Sequence, residues 1–477
     1  MPARNLPARP SLEQYRKQAK DLVKAFRANE PDATSRVRSI RPEAGKLTLT
    51  DAQFVIAREH GFENWSGFIK EIGRRSEGSS ASIWKKAEAA IVAGDVKKLE
   101  RLLQEHESLF RNEQPQSSWL GGLTPDYSNG GARAIISGNH GFDDWEQFAA
   151  FEKVLRSDMS IKLFEKAVDA IIDGDASGLD RLIQDKPDLV RMRSMRRHRS
   201  TLLHYVGANG VEGFRQRTPM NAGQIATILL EAGADVNAIG NMYGGGCTTL
   251  DLVATSFHPK RAGVQNELID LLLAHGSQLD QSGSTLVSSC LANGRDDAAE
   301  HLVKRGASLD MEAAAGLGRL EIVRSFFDDD GKLRPAATTE QMRDGFTWAC
   351  EYGHTPVVEF LLDRGIAVAE RLPRPHGQTG LHWAAHGGHL DTVNALLKRK
   401  APVDIKDSSF DGTPLGWALV GWSVRKTDGQ TPKESFYDVV AALVEAGAFV
   451  EPAWITPEKA RIDPRMYAIL TGQQAGT

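Results

Sequence analysis

Apolar positions along most of the chain recur at helical spacing. Leu12, Tyr15, Ala19, Leu22, Val23 and Phe26 form one such stripe, which predicts an amphipathic helix opening at Ser11 as N-cap. Thr50-Asp51-Ala52-Gln53 reads as a capping box ahead of Phe54, Val55 and Ile56, with Gly61 as the stop and a short helix after Asn64. Further on, a leucine pair or its equivalent is followed by polar residues, then Gly-Ala, then an aliphatic residue and Asn or Asp. The pattern stands at Leu229–Asn237, Leu272–Asp280, Leu302–Asp310, Leu361–Ala369, Leu396–Asp404 and Leu443–Glu451. The leucines predict a helix with one buried stripe, and the glycine predicts a C′ residue in the left-handed conformation that ends it. Lys400 occupies one of these glycine slots and should cost some stability there, because it carries a Cβ.

A shorter helix precedes several of these. Thr379-Gly380-Leu381-His382-Trp383-Ala384-Ala385 runs into His386-Gly387-Gly388-His389-Leu390, with Thr379 as cap and Gly388 as stop. Thr413-Pro414-Leu415 and Ser200-Thr201-Leu202 open comparable units. The N-terminal third carries a different duplication. His60-Gly61-Phe62-Glu63-Asn64-Trp65 returns as His140-Gly141-Phe142-Asp143-Asp144-Trp145, and Ala87–Arg111 returns as Ala167–Arg191, both at an offset of 80 residues. Gly73–Ser82 and Asn112–Gly131 are rich in Gly, Ser or Pro and read as linkers, and the tail from Gly472 reads as frayed.

The T-P-L-H-x-A and G-H-L…LL…GA-D-V-N pattern resembles the ankyrin repeat, with its period of about 33 residues. Thr379–Asp404 matches it almost throughout. Leu202–Asn237, Thr248–Asp280 and Thr413–Glu451 match with insertions, and Ser284–Asp310, Ala313–Asp329 and Phe346–Ala369 are degenerate. Ala87–Arg111 and Ala167–Arg191 look like capping-type repeats. The resemblance implies an all-α solenoid of helix-turn-helix pairs with a small N-terminal helical unit, which itself resembles a segment often fused to bacterial ankyrin-repeat proteins. The expected division is a helical unit at 1–75, an atypical pair with the second His-Gly-Phe-x-x-Trp unit at 81–155, the main array at 161–452 and a C-terminal cap and tail at 453–477.

Composition changes this picture little. Of 477 residues, 41% are hydrophobic and 25% charged, and 58 basic against 62 acidic side chains leave a net charge of -4. No global field attracts nucleic acid or an anionic membrane. Cys247, Cys290 and Cys350 form no C-x-x-C and are expected to be reduced thiols. The first residues lack the apolar core of a secretion signal and no apolar run reaches the ~18 residues of a membrane span, so a cytoplasmic protein is expected.

Four histidines, His376, His382, His386 and His389, stand close together, and His382 and His386 have chelating spacing. A zinc-protease helix needs H-E-x-x-H, and Trp383 stands where that glutamate would be. By the resemblance, His382 and His389 fill structural slots of the repeat. A metal-dependent hydrolase built on these four is the alternative to a binding protein. His60 and His140 read as packed histidines at helix ends. Gly244–Gly246 lacks the lysine and Ser/Thr of a phosphate loop, and the basic run Arg191–Arg199 lacks aromatic platforms for bases, so it reads as a solvated loop. No catalytic, cofactor or metal residues are assigned.

The resemblance therefore points to a non-enzymatic array that binds another protein on its concave face and loops. The variable positions of the best-matched unit fall on Gln378 in the hairpin tip and on His386 and Gly387. The insertions Val211–Asn221, Phe257–Val264 and Gly421–Ser435 are further candidates. Among the C-terminal aromatics, Phe410 in a tip and Trp422 in an insertion are expected at the surface, whereas Trp383 is expected in the core. The partner-binding candidates are thus Gln378, His386, Phe410 and Trp422.

Overall fold

The computed structural model describes residues 12–43, 45–77, 80–112, 131–279, 286–371, 377–427, 434–456 and 463–472. Ser11, His376 and nearly all of the 112–131 linker fall outside them. Among the described residues the fold is all-helical, and the only pairings of β type are isolated bridges at Gly240–Cys247 and Phe327–Leu333. No helix among them is long and apolar enough to cross a membrane. The chain divides into two compact units, Met1–Asp158 with Glu212–Phe214, and Met159–Val211 with Arg215–Thr477.

The first unit opens with helices Leu12–Arg27, Pro31–Ile40, Leu49–Glu59 and Trp65–Glu77. The stripe Tyr15, Ala19, Leu22 and Val23 is buried, and Phe68 sits at the centre of this core. The third helix begins earlier than the sequence suggests. Thr48, not Thr50, is its cap: Thr48 Oγ1 accepts from the Asp51 N–H and the Asp51 carboxylate accepts from the Thr48 N–H. Thr48 and Asp51 also satisfy the capping-box spacing, and their choice leaves Thr50 inside the first turn.

The second copy, helices Gly131–Asn139 and Trp145–Ser157, packs with Ser80–Val92 and Val96–Glu105. Each duplicated histidine lies between two aromatic rings. His60 has Phe68 and Tyr15 against it, and His140 has Phe148 and Phe214. The inner ring comes from the duplicated unit and the outer ring from elsewhere, which is why only the inner one was visible as a repeat. His140 Nε2 also donates to the Ile91 carbonyl at 2.9 Å.

The second unit is a two-layer array. Its first-helix layer runs through Met159–Asp173, a 3-10 turn at Leu203–Gly207, Thr249–Thr255, Leu286–Ala292, Met311–Gly316, Thr339–Glu351, Gly380–Gly387 and Pro414–Thr427. Its second layer runs through Ala176–Asp185, Ala222–Glu231, Gln265–Ala274, Asp296–Lys304, Leu320–Ser325, Thr355–Asp363, Leu390–Lys398 and Ser435–Glu445. First helices stack mainly on first helices and second on second, as a solenoid requires, and helix Pro464–Thr471 covers the last second-layer helix. Gly233, Gly276, Gly306, Gly365 and Gly447 all take left-handed φ at the predicted C′ positions, and Lys400 is held there too, at φ 62°. Of the insertions, Phe257–Val264 forms a short helix ended by Gly263. The expected loop from Gly421 is instead helix as far as Thr427, and residues 428–433 lie outside the described set.

Candidate functional site

Two of the histidines that invite a metal reading, His382 and His389, are tied to the backbone. The Thr379 N–H and hydroxyl both donate to His382 Nδ1, at 3.1 and 2.9 Å. Nε2 must therefore carry the proton, and it donates to the Gly412 carbonyl at 3.1 Å in the next hairpin. Thr201 and His204 repeat this arrangement, with Nε2 on the Cys247 carbonyl. Burial lowers both pKa values, that of His204 to about 4, although the carbonyl acceptors oppose the shift. His354 and His389 form a second set: their Nε2 atoms donate to the carbonyls of Gly316 and Glu351, which end the preceding first-layer helices. Gly318 and Gly353 make room for these rings, since a Cβ there would come within 2.6 and 2.5 Å of the imidazole. His382 thus has both nitrogens engaged and His389 has Nε2 engaged, and no group of three potential ligands occurs among the described residues.

His386, Phe410, Trp383 and Trp417 come together in one cluster. Trp417 is its hub, with ring centroids 5.2 Å from Trp383, 5.6 Å from His386 and 6.3 Å from Phe410. The hub is anchored by Asp407, which accepts from Trp417 Nε1 at 3.0 Å and from the backbone N–H groups of Ser409, Phe410 and Gly412. These bonds hold the carboxyl below its ordinary range against the opposing effect of burial. The same bonds shape the tip that presents Phe410, which is 70% exposed. One helical turn and two turns beyond Trp417, Val420 and Val424 are 53% and 48% exposed, while Leu415 and Ala418 are buried on the opposite side. The result is an apolar, partly aromatic surface on the first-helix layer.

The other two candidates lie differently. Gln378 is only 1% exposed, and Gly377 beside it lies against Ser408 of the next tip, so the residue is enclosed between tips and not displayed. Trp422 sits on the long helix, half-buried against the core beside Tyr437. Trp383, expected in the core, is only half-buried. Its contact with Trp417 crosses two repeats, and the recurrence of Trp at corresponding positions of the two first helices was the available signal.

The basic run is solvated at Arg191, Arg197 and Arg199, as its sequence suggests, but not at Arg196. Arg196 is 2% exposed and makes a two-pronged pair with Glu165 at 2.6 and 3.0 Å. Arg215 reaches the same carboxylate at 2.6 Å and Asp169 at 2.9 Å. Burial raises the Glu165 pKa, but the two guanidiniums outweigh it and hold the carboxyl below its usual range. Arg193 donates to the carbonyls of Arg199 and Ile239. These arginines are therefore committed to the fold. Cys290 and Cys350 are buried, the first with its thiol pushed up to about 12, and Cys247 is half-buried.

Comparison with known proteins agrees with this architecture. Residues 311–407 match the family model for ankyrin repeats, in three copies, so the chain contains ankyrin repeats. It is 29% identical over 205 residues to ankyrin repeat and KH domain-containing protein mask-1 of Caenorhabditis elegans, covering 41% of this chain and 7% of that protein. It is 26% identical over 155 residues to ankyrin repeat and SAM domain-containing protein 6 of Danio rerio, covering 30% of this chain and 21% of that protein. The chain therefore spans only a small part of these relatives' length. They are animal proteins and lend no support to a bacterial type. A crystal structure of the human ASB11 ankyrin repeat domain aligns with 60% of this chain and 99% of its own, at 19% identity and a TM-score of 0.30.

Proposed function

We propose that the array is a non-enzymatic scaffold that binds another protein through the aromatic surface around Trp417. The observation that carries this reading is Phe410. A phenylalanine 70% exposed on a hairpin tip adds little to folding, yet the tip is fixed by the bonds to Asp407. A rigid aromatic presented next to half-buried tryptophans is the composition of an interface hot spot. Ankyrin repeats mediate protein–protein interaction generally, which supports the class of partner. Three unpaired cysteines fit the reducing cytoplasm as its setting.

The test compares the full chain with Phe410→Ala and with Val420→Asp in affinity capture from its native cells. Both positions are exposed, so circular dichroism should show unchanged folding. A protein captured by the wild type and lost by both variants is the expected result. Equal capture by all three overturns this surface as the site.

A further inference from the structure

A second site lies on the first-helix layer, distant in sequence from the aromatic surface. It is a cleft of about 370 Å³ under Tyr243, walled by Asn209, Asp251, Thr255, Ser289 and Asn293 from three successive units. Tyr243 is 71% exposed at φ 51°, a conformation that costs a non-glycine residue on the order of 1 kcal/mol. Its ring edge lies against Gly210, while most of its surface stays exposed. Its hydroxyl donates to Asn209 Oδ1 at 2.5 Å, which aims the ring along the cleft. Gly244, Gly245 and Gly246 follow it, all left-handed and with open space around them.

The wall offers acceptors. One carboxylate oxygen of Asp251 caps its own helix, accepting from the Thr248 N–H and hydroxyl at 2.8 and 2.9 Å, and the other makes no hydrogen bond among the described residues. Asn293, which lines the cleft, spends its amide nitrogen on the Ser289 carbonyl at 2.8 Å, and its oxygen accepts no hydrogen bond among the described residues. The Thr255 hydroxyl is already committed to the Asp251 carbonyl, at 2.7 Å. No lysine, arginine or histidine lines the cleft among the described residues. A net negative, acceptor-rich wall with an aromatic ring at its mouth repels phosphate or carboxylate. It suits a cationic donor, which bonds to the free oxygens while its face or stem packs on the ring.

We propose that this cleft receives a guanidinium or ammonium group, the arginine or lysine side chain of a bound protein. The proposal rests on the protein-binding reading only for the source of that side chain. The test uses full-length protein and the blocked tripeptide acetyl-Gly-Arg-Gly-amide, its lysine analogue and its citrulline analogue, followed by ligand-observed NMR. Citrulline keeps the shape of arginine and removes the charge.

Saturable binding of the arginine or lysine peptide is expected, about tenfold weaker for citrulline and about tenfold weaker with Asp251→Asn or Tyr243→Ala. Asparagine at 251 can still accept the Thr248 bonds, and Tyr243 is exposed, so both variants should fold. Lack of binding by both cationic peptides, equal binding of citrulline, or indifference to both substitutions overturns the proposal. Free spermidine binding while the peptides fail assigns the cleft to a small amine and also overturns it. Loss of peptide binding with protein capture intact sinks this inference alone, and the reverse result sinks only the reading of the aromatic surface.

Discussion

Lowering the pH from 7 to 5 should loosen the array through His204. In the unfolded chain this histidine protonates near its ordinary 6.5, whereas in the fold its pKa is depressed to about 4 by burial. The geometry supplies the reason. Nδ1 faces two donors, the N–H and hydroxyl of Thr201 at 3.1 and 2.7 Å, and Nε2 already holds the proton given to Cys247. A second proton would break the bond from the Thr201 N–H, force the Thr201 hydroxyl to turn from donor to acceptor, and place a charge in a buried site. A depressed pKa stabilises the fold fully above the unfolded value, and that stability is lost as pH falls toward the folded value. Linkage gives a loss of about 2 kcal/mol by pH 5, approaching about 3.4 kcal/mol below pH 4.

The assay is the urea midpoint at pH 7 and pH 5 for the wild type and His204→Gln. The variant is less stable at pH 7 because it loses the bonds, but its stability should fall by about 2 kcal/mol less between the two pH values. It keeps some acid sensitivity, because burial also depresses His258, His354 and His382. Repeat arrays can unfold unit by unit, so hydrogen exchange over 201–231 provides the local readout. Equal losses in wild type and variant, or an NMR titration placing native His204 near 6.5, would refute the reasoning.

Three further outcomes follow from single positions. Lys400→Gly should stabilise the array by about 0.5–1 kcal/mol, because it relieves a left-handed non-glycine residue at the net cost of some unfolded-state entropy; thermal unfolding measures it. Gly353→Ala should cost about 2 kcal/mol or more, since it adds a collision with His389 to the strain of φ 76°, whereas Gly263→Ala, at φ 74° with open space, should cost only about 1 kcal/mol; equal costs would show that the ring contact is unimportant. Glu165→Gln should cost about 3–5 kcal/mol by removing the charge that faces Arg196 and leaving Asp169 as the carboxylate paired with Arg215, and adding Arg196→Met with Arg215→Leu should recover most of it, as denaturant midpoints would show.

The features legible in the sequence are those determined within one repeat. A C′ glycine is required by the left-handed conformation that ends its own helix, so the slot was recognisable even with lysine in it, and Lys400 has that conformation. The resemblance placed His382 in a structural slot of its own repeat before its carbonyl acceptor was known, and the threonine-to-histidine bond across three residues accounts for that slot, at His204 as well. Local rules still left choices open: Thr48 and Thr50 both satisfy a capping pattern, and the helix start decides between them. What one repeat does to the next was much harder to read. Gln378 has the local signature of an exposed tip residue, but the following tip encloses it. Within the arginine run, Arg196 looks solvated because its main partner, Glu165, lies 31 residues upstream. The same limit applied to part of the surface: Phe410 was legible as an exposed tip residue, whereas Trp383 and Trp417 could each serve alone as core. Only stacking one unit on another turns them into a shared aromatic face, so the surface proposed for partner binding belongs to the spacing between repeats.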